Sequence, residues 1–442
     1  MSLMDPRWFA QVDRRLADVD RTEGLFPYPR FSLAERDRRW RAVRARMAER
    51  GIDVIITPQN TGHSTDFQAN SRWLTQVGGG ADADIAAVFP LEGEVTIAAT
   101  TAKLRWPPVQ NWVTDCREAG RNYGAVIVGR LKELNPKVIG IAGLGRGTRT
   151  PEGTILHGTF QQVRDAFPEA EICDTMDLLA EVRHVKSHEE IAFLARSKEL
   201  IDDGTEAMIA SARPGVSEWV VWADAMHAML RAGSELSVHF NWISGQKPVR
   251  EMNRPTHRVL QEGDIIFSEL EASWGGYRCQ GVAPVGVGEP HSAYRELMKV
   301  QGALYEALLE DLRPGVTVGE LTENCETHAS RFTPKTGPAA GATAHLSMHG
   351  RGAGDDGPIV TGGTTRDRQN LAVALQENMV FIFKPTIRGS DGYYIQWGDS
   401  VVVTPGGGRR LGRLPHGIAI AGRDTPFPSP LPRRGKGGEG EG

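Results

Sequence analysis

At 442 residues the chain exceeds what one ordinary hydrophobic core supports, so two domains of unequal size are expected. Its 24% charged and 40% apolar residues are those of a globular protein, and a net charge of −4 offers no basic excess to a nucleic-acid backbone. The opening residues lack a basic stretch followed by an apolar run, and no stretch of about eighteen apolar residues occurs, so no membrane association and a cytoplasmic location are expected. Residues 1–31 read as an N-terminal extension. The first clear helix covers residues 32–50: Ser32 and Glu35 form a capping box, Leu33, Trp40, Val43 and Met47 recur at helical spacing, and Gly51 supplies the stop. Short β-branched or apolar runs at 52–58, 86–90 and 138–142 read as buried strands between helices, which makes residues 32–183 an α/β domain. Ser187 and Glu190 make a second capping box and open a long helix with Ile191, Leu194, Leu200 and Ile201, beginning a second domain over 184–415. Residues 416–442 are assigned to a disordered tail, since the chain there turns to glycine, arginine and proline. Cys116, Cys173, Cys279 and Cys325 lie far apart without a C-x-x-C pairing, as reduced thiols do.

The second domain repeats itself. Arg213-Pro-Gly-Val-Ser217 recurs one hundred residues later as Arg313-Pro-Gly-Val-Thr317, each copy ending one helix and capping the next through Ser217 or Thr317. Leu260-Gln-Glu-Gly-Asp-Ile-Ile-Phe-Ser-Glu269 recurs as Leu375-Gln-Glu-Asn-Met-Val-Phe-Ile-Phe-Lys384, 115 residues on. A Gly-Tyr-x-x-Gln pattern follows each, as Gly276-Tyr277 to Gln280 and as Gly392-Tyr393 to Gln396. Three matched segments in the same order indicate an internal duplication with pseudo-two-fold symmetry.

Glu269 and Lys384 are equivalent in this duplication, so they are expected to approach one another near its axis. Alternation along each strand puts Glu269 on the face of Ile265 and Phe267, and Lys384 on that of Val380 and Ile382. Two readings follow: a buried structural ion pair, or a charged pair lining a pocket, where a desolvated lysine loses its proton readily or binds a substrate carboxylate. A second cluster is His345-Leu-Ser-Met-His349-Gly-Arg351-Gly-Ala-Gly354-Asp355-Asp356-Gly357-Pro358. Its glycines permit close backbone approach to a ligand, and it gathers a histidine, an arginine and two carboxylates suited to proton transfer. The same composition also describes any long turn.

Together these segments resemble the creatinase/aminopeptidase P family over roughly residues 33–405. The carrying residues are Arg38-Arg-Trp40, Gly51-Ile-Asp-Val-Ile-Ile56, Val182-Arg-His-Val-Lys-Ser-His-Glu-Glu-Ile191, Gly263-Asp264, Gly276-Tyr277, His349-Gly-Arg-Gly352, Pro358 and Asp399-Ser-Val-Val-Val-Thr404. The resemblance implies an α/β N-terminal domain plus an α+β pita-bread C-terminal domain. Peptidases of the family hold two metal ions with two aspartates, a histidine and two glutamates. At the matching positions stand Glu269, Gln280, His349, Lys384 and either Gln396 or Gly398, while two further catalytic histidines fall on Met252 and on Asp355 or Asp356. Hard cations need several carboxylates, so no catalytic metal and no other cofactor is expected.

Creatinase is a metal-free relative, but its catalytic histidine falls on Met252 and its glutamates on Val282 and about Trp397, which argues against creatine as substrate. The leading expectation is a metal-independent hydrolase or lyase of a small polar carboxylate- or nitrogen-containing metabolite. His349 with Asp355 or Asp356 would move protons, and Lys384, steered by Glu269, would bind an anion or developing charge. Gln280, Gln396, Tyr277 and Arg351 would orient the ligand. Dimers of the family complete the pocket from the partner's N-terminal domain, so a homodimer is expected and His63, Asn70, Arg72 and Trp73 are further candidates. Alternatives are an Xaa-Pro dipeptidase or aminopeptidase with an unorthodox metal site, and a dimethylsulfoniopropionate lyase-like enzyme, suggested by an aspartate six residues after His349. A non-catalytic binding member of the fold is the third.

Overall fold

The computed structural model describes residues 30–59, 69–77, 85–100, 112–120, 122–145, 152–236, 241–249, 254–354, 356–360 and 368–423. The chain forms two compact units. The first comprises the chain up to Leu194 together with Ser273–Arg278 and Arg351–Gly357, and the second comprises Ala195–Ala272, Cys279–Gly350 and the chain from Pro358. The division between the two units falls within the helix His188–Ser211.

In the first unit, strands β1 (Val54–Thr57), β2 (Ile85–Pro90), β3 (Thr96–Ala99), β4 (Asp115–Glu118), β5 (Val138–Ile141) and β6 (Glu171–Asp174) form one sheet in the order β4-β3-β2-β1-β5-β6. β1 pairs antiparallel with β2 and parallel with β5, so the sheet is mixed. The central strands β1 and β2 are buried throughout, as their uninterrupted apolar runs require. The helix Leu33–Arg50 starts and stops as its sequence dictates: Ser32 Oγ accepts from Glu35 N at 3.1 Å, and Gly51 takes a left-handed φ of 65°. At the start of His188–Ser211, Ser187 N donates to Glu190 Oε2 at 2.8 Å and Glu190 N to Ser187 Oγ at 3.1 Å, the reciprocal box expected.

The second unit displays the duplication in its hydrogen bonds. Strands β7 (Asn241–Gly245), β8 (Asp264–Trp274), β9 (Tyr277–Val282) and β10 (Val285–Val287) belong to the first half. The second half has β11 (Thr343–His345), β12 (Met348–Gly350), β13 (Ile359–Val360), β14 (Val380–Phe383), β15 (Thr386–Arg388), β16 (Tyr394–Gln396), β17 (Asp399–Thr404) and β18 (Gly407–Arg410), and β19 (Ala419–Ile420) is the last described strand. Gly215 N donates to Leu260 O at 3.0 Å and Gly315 N to Leu375 O at 2.9 Å, while Leu260 N and Leu375 N donate to Val216 O and Val316 O at 2.8 Å each. Ser217 bridges Val259, and Thr317 bridges Ala374. Helices Glu218–Arg231 and Val318–Phe332 follow the two copies. One expectation fails here: Thr317 forms a full capping box with Glu320, whereas the Ser217 side chain makes no cap bond. The residue three beyond Ser217 is Val220, which has no carboxylate to return.

The two halves join where Val282 and Gly398 exchange backbone hydrogen bonds of 2.9 Å each. A further correction concerns residues 416–423, assigned above to a disordered tail. β19 lies parallel to β10, with Ala419 opposite Val285 and Ile420 opposite Gly286. The short apolar run Ile418–Ala421 gains ladder partners and a buried face there, which composition alone hides. Residues 424–442, the rest of that expected tail, and residues 1–29 of the expected extension lie outside the described residues. All four cysteines are free thiols. No described helix is long and apolar enough to cross a membrane.

Candidate functional site

β8 alternates, placing Phe267, Glu269 and Glu271 on one face, all buried. β14 stops at Phe383 because Pro385, lacking an N–H, breaks the ladder, and Lys384 occupies the break before β15. Lys384 N still donates to Ser347 O at 3.0 Å, which fixes the direction of its side chain. Its Nζ lies 2.6 Å from Glu269 Oε1, with the two side chains 6% and 4% exposed. At that burial the pair is shielded from water, so its attraction is little screened.

Two amides complete the frame. Gln280 donates through Nε2 to Glu269 Oε2 at 3.1 Å and accepts from Lys384 Nζ at its Oε1 at 3.2 Å, closing a ring of three side chains. Asn241, opposite Glu269 in the β7–β8 register, donates through Nδ2 to Glu269 Oε2 at 2.8 Å. His349 pairs with Ile382 across β12 and β14, so alternation puts its imidazole on the face shared by Ile382 and Lys384. It is buried, with Nδ1 3.4 Å from Gly350 O. Gln396 is buried too, and its Nε2 donates to Lys384 O at 3.5 Å. Phe267 and Tyr394 stack at 4.6 Å between centroids, giving an apolar wall beside the polar group.

Thus Glu269, Gln280, His349, Lys384 and Gln396 all fall in the second unit. Tyr277, Arg351, Asp356, Arg72 and Trp73, expected at the same site, belong to the first. Their surroundings are as follows within the first unit. Both oxygens of Asp356 are engaged, one by Arg183 and the other by Lys186 Nζ at 2.8 Å. Burial alone would push its carboxyl up, but these two cations hold it below the usual carboxylate range. The Tyr277 hydroxyl donates to Glu190 Oε1 at 2.7 Å, and the Trp73 indole donates to the same oxygen at 2.8 Å. Burial drives the Tyr277 phenol well up, keeping it a donor. Both rings pack around the Arg39 guanidinium, 4.9 Å from the Trp73 centroid and 6.0 Å from that of Tyr277, and both are nearly fully buried. Their polar hydrogens are both taken up by Glu190 within the first unit. Asn70 likewise accepts from Arg183. Arg351 is 1% exposed. Arg72 packs over Gly276, where a Cβ would meet its Nε at 2.6 Å. His63 and Asp355 lie outside the described residues.

Asn241 is the member of this frame that sequence reasoning missed. Asn241 belongs to neither repeated segment, so its place opposite Glu269 emerges only from the register.

The donor set does not fit a pair of divalent ions. An ammonium sits at hydrogen-bond distance from the Glu269 carboxylate, and Gln280 and Gln396 contribute neutral amides. Among the described residues no three His, Cys, Asp or Glu side chains converge as ligands.

Residues 192–405 match the metallopeptidase family M24. Creatinase from Bacillus sp. (strain B-0618) is 26% identical over 437 residues, spanning 91% of this chain and 98% of that protein. The Xaa-Pro dipeptidase of Pyrococcus furiosus is 23% identical over 261 residues, 59% of this chain and 72% of that one. Among solved structures, an X-Pro aminopeptidase from Thermotoga maritima MSB8 superposes with a TM-score of 0.70 at 19% identity, covering 86% of this chain and 99% of its own. An Xaa-Pro dipeptidase from Bacillus anthracis gives 0.70 at 18% identity, covering 87% and 99%. These structural likenesses establish the pita-bread fold.

Proposed function

Since the chain belongs to the creatinase/aminopeptidase P family, we propose that it is a hydrolase that works without a metal on a small polar metabolite bearing a carboxylate or a hydrolysable C–N bond. The observation that carries this is the buried Lys384–Glu269 pair, 2.6 Å apart and framed by Asn241 and Gln280. Lys384, held by Glu269, binds the substrate anion or the negative charge that develops on a carbonyl oxygen under attack. His349 accepts a proton from the attacking water as its oxygen bonds to carbon, then returns it to the departing nitrogen as the C–N bond breaks. Gln280 and Gln396 orient the substrate, and Phe267 with Tyr394 exclude water from one side. The test is turnover of a panel of small amides, ureido acids and guanidino acids in chelator-treated protein. A hit must be lost in both Lys384→Met and His349→Ala, and unchanged turnover in both variants refutes the assignment.

A second reading, an Xaa-Pro dipeptidase, is favoured by the names its relatives carry. It requires hydrolysis of proline-containing dipeptides that a chelator abolishes and added metal restores.

A further inference from the structure

We propose that Gln301 is a positioning residue of this site: its buried amide holds the strand break that carries Lys384 and Gln396, and His416 of the terminal segment orients that amide. The inference rests on the reading above in taking Lys384 and Gln396 as site residues.

The chain passes between the sheet of β14 and β17 and the sheet of β15 and β16 twice at one level, through Lys384 and Pro385 and again through Trp397 and Gly398. Ladder bonding lapses there, so buried carbonyls at the crossing need donors from elsewhere. Gln301, 0% exposed on the helix Ser292–Asp311, supplies them: its Nε2 donates to Pro385 O and to Trp397 O at 3.0 Å each. One amide thus holds the residue after Lys384 and the residue after Gln396. The Gln396 amide adds a bond across the same break, from its Nε2 to Lys384 O at 3.5 Å.

Carbonyl oxygens only accept, so the NH2 end of Gln301 faces them and its Oε1 faces away. His416 Nε2 lies 2.5 Å from that Oε1 and is therefore the ring nitrogen that carries the proton. Gly302, the next residue on the helix, gives the imidazole its place, because a Cβ there would lie 3.0 Å from His416 Cε1.

The internal duplication shows that this arrangement belongs to the second half alone. Ile201 and Gln301 each stand twelve residues before an Arg-Pro-Gly-Val segment, and Gly281 and Trp397 each follow the glutamine of a Gly-Tyr-x-x-Gln pattern. The first-half pair meet as the second-half pair do, since a Cβ at Gly281 would lie 2.9 Å from Ile201 Cγ2. There, however, β8 runs unbroken from Asp264 to Trp274 through Glu269, and the apolar Ile201 has no donor to offer. The polar residue appears in the half whose strand is broken by proline.

The experiment records by magnetic resonance the ammonium signals of protein labelled with a heavy nitrogen isotope at lysine Nζ. Lys384 and Lys186 are assigned by the signals lost in Lys384→Met and Lys186→Met, and Lys186, a buried ammonium paired with Asp356 in the first unit, is the control. Gln301→Met keeps the length of the side chain but offers no N–H, and should shift or broaden away the Lys384 signal while that of Lys186 stays in place. His416→Phe removes the orienting donor, should have the same effect, and decides the matter if Gln301→Met does not fold. His416→Gln retains an N–H donor and should restore the native Lys384 signal. A folded Gln301→Met or His416→Phe with an unmoved Lys384 signal overturns the proposal. Loss of the Lys384 and Lys186 signals together, or failure of both variants to fold, assigns Gln301 to general stability and overturns it as well. So does native protein without a Lys384 signal, because an ammonium held in place and away from water exchanges slowly. No turnover is read, so an unsuccessful substrate search leaves this inference standing, and an unmoved signal would refute it while sparing the roles given to Lys384 and His349.

Discussion

Removing Lys384 takes a cation 2.6 Å from Glu269 Oε1 out of a place only a few per cent open to solvent. Breaking a buried pair from one side costs about 3–5 kcal/mol, whereas replacing both partners by apolar groups is often close to neutral. Lys384→Met should therefore lower the denaturant midpoint markedly, and Lys384→Met combined with Glu269→Leu should recover most of the loss. If the double variant is as unstable as the sum of the singles, the two residues are not coupled. Asp356 allows a similar contrast in the first unit. Asp356→Asn should destabilise by abandoning Arg183 and Lys186, as chemical denaturation will read. A proton carrier would instead tolerate the substitution structurally and lose only turnover.

Elements of the duplicated unit differ in ways that stability measurements resolve. Thr317→Ala removes a complete capping box and should cost about 1 kcal/mol, while Ser217→Ala removes no cap bond and should cost only a few tenths. The segment leading into β19 carries His416, packed against Trp397 at 4.5 Å and Tyr305 at 5.7 Å between ring centroids. Burial, helped by Arg410, pushes this imidazole down to about 3. The unfolded chain binds a proton near the ordinary histidine value of about 6.5 that the folded chain refuses. Stability from this group is therefore complete above that value and declines as pH falls toward 3. His416→Phe should flatten the acid limb of the stability profile over that window, and an unchanged slope would show that the group is not buried neutral. The β19 pairing also shows why the tail boundary eluded sequence reasoning. Glycine, arginine and proline dominate the composition after Thr404, and four apolar residues at 418–421 acquire meaning only beside the open edge of β10.

Across the whole molecule, what was legible followed from local periodicity and repetition. The capping boxes at Ser32 and Ser187, the strand runs and the 115-residue offset of Glu269 and Lys384 each follow from short-range rules, and each has its counterpart in hydrogen bonds. What escaped depends on partners distant in sequence. Tyr277 and Trp73 both donate to Glu190, which no spacing rule connects to them. Asn241 reaches Glu269 only through strand register. The central proposal is that the site around the Lys384–Glu269 pair works without a metal ion. Its most direct test is metal analysis of protein produced in medium enriched in manganese, zinc and cobalt, with thermal stability measured before and after chelation. The account predicts metal well below one equivalent per chain and a midpoint that chelation leaves unmoved. One or two tightly held equivalents, with a midpoint that falls when they are stripped, would contradict it.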